Sequence, residues 1–148
     1  MKKPVVIVSM VTSLLMPAAT LASGQLPPMP LPEQQFDNFK TCVAHLEAKV
    51  AEDRKQADPD PVMQTDGSNR QTLVYSDGVK REGRNKASYA VEVGYQVRVP
   101  VPEDKVIRTS YSYERTSLRC KGRVLTGEQV NGYALEGYAP LEEPPSPK

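Results

Sequence analysis

The chain has 148 residues, 19 basic against 18 acidic side chains, one histidine, two cysteines and no tryptophan. A balance this even lacks the strong positive surplus expected of a nucleic-acid-binding chain, and a single histidine leaves little for histidine-based acid/base chemistry. What remains is one domain's worth of sequence whose chemistry must come from patterning.

Lys2 and Lys3, the uncharged run from Pro4 to Leu21 and the small-residue end Thr20-Leu21-Ala22 have the layout of a bacterial export signal, with cleavage expected after Ala22. Its loss removes two lysines, so the formal charge of +1 becomes −1. The exported chain is expected in the periplasm or outside the cell, touching a membrane only through the signal if that is kept. In an oxidising compartment the two cysteines, Cys42 and Cys120, are expected as one disulfide.

Residues 23–31 hold Pro27, Pro28 and Pro30 and are expected as a proline-rich linker. From Pro32 to Ala57 the apolar residues Phe36, Phe39, Val43, Leu46 and Val50 recur every three or four positions, the stripe of an amphipathic helix. Pro32 suits its first turn, and Asp58-Pro59-Asp60-Pro61 ends it. Lys49 falls outside the stripe.

After Gln64 the period drops to two. Ala87, Tyr89, Val91, Val93, Tyr95, Val97 and Val99 form one face of a long strand and should meet the helix. Asp77-Gly78 and Asn131-Gly132 each sit between strand-like runs and are expected as two-residue hairpin turns. The strand from Val106 loses its alternation near Arg115, which predicts a bulge or short break between Arg115 and Gly122. The fold class expected is α+β: one long N-terminal helix packed on an antiparallel meander of about six strands and tied to it by the disulfide. It occupies residues 32–139 as a single domain, and 140–148 form a proline-rich acidic tail expected to be disordered.

No triad, metal-ligand spacing or phosphate-binding glycine loop occurs, so no cofactor or metal is expected. His45, with Glu47, Glu52 or Asp53 as carboxylate, is the only acid/base candidate, and a small periplasmic hydrolase or isomerase is the alternative reading. Charge patterning favours another. Residues 70–123 carry 12 basic and 6 acidic side chains, whereas 23–69 carry 4 and 8. Lys80, Arg81, Arg84 and Lys86 form the densest cluster, and Arg115, Arg119, Lys121 and Arg123 a second. The expectation is a non-enzymatic binding or accessory protein of the cell envelope. It would dock an envelope protein, an anionic glycan or a lipid headgroup, not nucleic acid, through the Lys80–Lys86 cluster. All seven tyrosines fall in strand-like segments, where they serve packing or, mixed with arginine, an exposed binding face.

Overall fold

A computed structural model describes residues 23–141. Residues 1–22, where the export signal is expected, and residues 142–148 of the expected tail lie outside the described residues. The helix, α1, runs from Phe39 to Arg54, so it is shorter than the expected 32–57. A capping box fixes its start: the Asn38 side chain accepts from the Thr41 backbone N–H at 3.0 Å, and Thr41 Oγ1 accepts from the Asn38 backbone N–H at 3.1 Å. Pro32 is therefore not a first-turn residue. It belongs to an edge strand, where proline is tolerated because one side of the strand has no partner.

The strands in chain order are β1 (Ser23–Gln25), β2 (Met29–Gln35), β3 (Val62–Met63), β4 (Asn69–Ser76), β5 (Lys80–Arg81), β6 (Lys86–Val101), β7 (Val106–Lys121) and β8 (Val124–Pro140). They form one antiparallel sheet in the order β1-β8-β7-β6-β4-β3, with β2 following β1 along β8 and β5 following β4 along β6. The segment expected as a free linker thus runs along the outer edge of the last strand.

Neither expected hairpin forms. Asn131 and Gly132 lie inside β8, which is continuous over 17 residues. At Asp77-Gly78, three residues from Asp77 to Val79 stand opposite only Tyr89 and Ala90, a bulge along one edge, and Gly78 takes φ +78° to make it. The turn that does join two long strands is Gly122-Arg123, with Lys121 paired to Val124 and Gly122 at φ +58°. β7 has no break after Arg115. Its one irregularity falls between Thr109 and Ser110, where β8 holds an extra residue beside Gly137 at φ +129°.

Cys42 and Cys120 are joined, with Cα atoms 6.1 Å apart, and both are fully buried where α1 crosses the sheet. Around them Val43, Leu46 and Val50 of α1 pack on Ala87, Tyr89, Val91 and Val93 of β6 and Leu125 of β8. The expected odd-numbered face of β6 is therefore the core face, but only as far as Val93. Sixteen helical residues span about 24 Å. Sixteen strand residues span about 53 Å. Beyond the helix's reach Tyr95 is 45% exposed.

One polar group enters this core. Asp53 is only 2% exposed. Its carboxylate accepts from Tyr89 Oη at 2.9 Å and Gln56 Nε2 at 3.0 Å and pairs with Lys49 Nζ at 3.0 Å. Burial, helped by the Asp53 carboxylate, pushes the Tyr89 phenol up from its ordinary value. Lys49 is drawn into the site: burial opposes its charge, and the bonds to Asp53 and Glu52 outweigh that and raise its pKa.

Candidate functional site

The sheet's two faces follow from register. Odd residues of β6 and even residues of β7 face α1, so Lys86, Ser88, Ala90, Glu92 and Gly94 share the opposite face with Tyr111, Tyr113, Arg115, Ser117, Arg119 and Lys121. This outer face holds a groove of about 700 Å³ whose floor is the small side chains Ser88, Ala90, Ser117 and Thr126. Glu92, Arg115, Arg119, Glu128, Lys80 and Tyr75 stand around it.

The four residues of the expected basic cluster part company. Lys80 faces the groove and pairs with Asp77 at 2.6 Å, which together with its hydrogen bond holds the Asp77 carboxyl below its ordinary pKa. Arg81 points to the helix side, where it reaches Glu47 at 3.6 Å. Arg84 is exposed in the turn between β5 and β6. Lys86 lies directly across from Lys121 in the β6–β7 register, on the groove face. The fold thus brings Lys86 of the first cluster together with Arg119 and Lys121 of the second at one end of the sheet, while Arg115 lies further along it beside Glu92. The Gly122 N–H donates to the Asn85 carbonyl at 2.8 Å, which binds the two turns together. Ser88 and Arg119, the next pair along this face, connect that basic end to the groove.

At the groove's other end Glu92 is fully engaged. Tyr111 Oη donates to its Oε1 at 2.9 Å, and Arg115 donates to Oε2 from Nε at 3.1 Å and Nη2 at 2.5 Å. These bonds raise the guanidinium pKa of Arg115. The guanidinium carbon also sits 5.5 Å from the Tyr113 ring centroid, a cation–π distance.

Tyr111 and Tyr113 follow Arg115 with ring planes 28° apart and centroids 6.1 Å apart. The outer edges of both rings fill space that a side chain would occupy on a neighbouring strand: Tyr111 lies over Gly94 of β6 and Tyr113 over Gly132 of β8. Glycine is needed at both places because any Cβ would meet a ring. The sequence reading missed this arrangement. Gly94 and Gly132 within alternating strand patterns were its signal, since a glycine inside a strand marks a close approach.

His45 lies elsewhere, half-buried in a crevice of about 200 Å³ with Leu31, Gln34 and Thr116, its ring centroid 5.1 Å from that of Phe36. None of its expected carboxylate partners is placed to orient it. Glu47 lies about 200° around the helix and Glu52 about 10 Å along it, while Asp53 is committed to Tyr89, Gln56 and Lys49. The acidic residues after the helix serve the loop: Asp58 Oδ2 accepts from the Thr72 N–H at 2.8 Å, and Asp66 accepts from the Ser68 hydroxyl and N–H, which lower its pKa. No group of three His, Cys, Asp or Glu side chains suited to a metal ion occurs among the described residues.

Comparison with protein-family models, with curated proteins and with solved structures finds no match.

Proposed function

We propose that this chain is an exported binding protein that docks an anionic component of the cell envelope on the basic end of its sheet. One observation carries the reading. Lys86 and Lys121 oppose each other directly across β6 and β7, and neither is joined to a carboxylate among the described residues. Like charges in this position destabilise a sheet. Arg84, Arg119 and Arg123, all exposed, add to the same end. A cost borne by the free protein and removed when an anion binds is what a docking site for negative charge looks like. The disulfide, buried in the core, supports an oxidising compartment. Catalysis through His45 draws no support from its surroundings.

The test is co-sedimentation with isolated envelope fragments at low and high salt, for the native chain and for Lys86→Glu with Lys121→Glu. The double reversal turns two repelled lysines into two repelled glutamates, so folding should change little while capture falls at least about tenfold at low salt. Added salt, with a Debye length of about 8 Å at physiological strength, should weaken native capture. Capture that ignores both the reversal and salt would overturn the proposal.

A further inference from the structure

We infer that the anionic component is an acidic glycan, bound along the outer face of the sheet with its sugar rings on Tyr111 and Tyr113 and its carboxylates toward the basic end. This rests on the docking role proposed for that end and names its ligand.

The face forms one track. From the Lys86–Lys121 pair to the Gln96–Tyr111 pair it covers about 33 Å along the strands. Its parts succeed one another in an order that suits a linear chain of charged sugars. The basic end supplies counter-charge. The floor of Ser88, Ala90 and Ser117 carries no bulky side chain, so a ring can lie close to the backbone. Glu128 offers a carboxylate acceptor and Arg119 a guanidinium donor, the groups that match the alternating donors and acceptors of sugar hydroxyls.

The tyrosines then supply what neither a free anion nor a lipid headgroup needs. With their outer edges over Gly94 and Gly132, the two half-buried rings lean onto the sheet instead of standing up from it. An aromatic face carries partial negative charge, which attracts the polarised C–H bonds of a pyranose ring. Near-parallel rings 6.1 Å apart make a surface for such rings, and the planar Arg115 guanidinium, held by Glu92 beside Tyr113, extends that surface.

A peptide fits less well. Strand addition pairs a peptide with a sheet edge, whereas this track runs over β6 and β7, interior strands of the sheet.

Three probes separate the sources of negative charge: polygalacturonate, a neutral linear glucan of similar length, and vesicles of anionic phospholipid. The chain has no tryptophan, so its intrinsic emission comes from tyrosine and should respond to polygalacturonate. Saturating polygalacturonate should also protect Tyr111 and Tyr113, and not Tyr138, from nitration by tetranitromethane. Tyr111→Ser with Tyr113→Ser should weaken polygalacturonate at least about tenfold, whereas Tyr111→Phe with Tyr113→Phe, which keeps both rings, should stay within about threefold. The neutral glucan should bind more weakly than polygalacturonate.

Where the serine variant fails to fold, nitration of the native chain decides alone. If polygalacturonate binds but leaves both tyrosines unprotected, or anionic vesicles bind and polygalacturonate does not, the glycan assignment is overturned and anionic docking survives. If no anionic probe binds and the Lys86/Lys121 reversal is silent toward envelope fragments, both fall together.

Discussion

Replacing both Cys42 and Cys120 by alanine should lower the unfolding free energy by about 4 to 5 kcal/mol through chain entropy alone. The bond closes a loop of 78 residues, and the denatured chain gains the freedom that this closure denies it. The structure adds a local contribution of the same sign. Both cysteines are fully buried against Val43, Leu46 and Ala87, so removing two sulfur atoms leaves a void where α1 meets β6 and β7. The bond is also the only covalent tie between the helix and the sheet, apart from the chain itself. Urea unfolding followed by far-ultraviolet circular dichroism would measure the change, with the oxidised native chain and the native chain kept in reductant as references. Substitution should move the midpoint further than reduction, which opens the bond but leaves both sulfurs in the core. A loss below about 1 kcal/mol would refute the reasoning, because it would mean that the denatured chain holds these segments together without the bond.

Asn38→Ala removes the side chain that caps α1 and should cost about 1 kcal/mol in the same assay, with loss of helical signal before loss of sheet signal. Gly94→Ala and Gly132→Ala each drive a Cβ into a tyrosine ring and should cost about 1 to 3 kcal/mol; exposed Ala90→Ser on the same face should change little. Tyr89→Phe strands one oxygen of a buried carboxylate and should cost about 1.5 to 3 kcal/mol. Because the folded-state pKa of Tyr89 is raised, its contribution is present below the ordinary phenol value of about 10 and is lost as pH rises through the higher folded value. Lys49, also raised, acts in the same direction. Stability should therefore fall above about pH 10, with Tyr89 ionising above the ordinary phenol value in an ultraviolet titration; Tyr89→Phe should remove that ionisation and flatten the fall.

The parts of the fold legible in the sequence are those set by periodicity or by chemistry independent of context. Val43, Leu46 and Val50 mark a buried helical stripe, Ala87 to Val93 a buried strand face, and an even pair of cysteines their own pairing. Edges and turns were less legible. Pro30 and Pro32 argue against a strand unless it is known to lie at an edge, and nothing local says that it does. Asn131-Gly132 has turn composition, yet Gly132 is used for the space it leaves to Tyr113, nineteen positions earlier in the chain. The basic residues could be counted, but whether Lys86 and Lys121 were neighbours depended on the register of β6 against β7. Asp53 shows the same limit from the other side: its acidic character suggested a surface or a catalytic partner, and its place on the buried stripe made it a structural acceptor.

The pairing of β1 and β2 with β8 also bears on the order in which the molecule can be completed. Met29 finds its neighbour at Gln129, so the first strands to be synthesised wait for nearly the whole chain before they have a place to go. Until they arrive, the long outer side of β8 offers unpaired amides and carbonyls to any other extended segment. Contacts of this sequence separation form slowly. The vulnerable period is therefore the last stage of folding, when β8 is in place but its outer side is not yet covered, and each of two neighbouring chains can lend its β1 and β2 to the other.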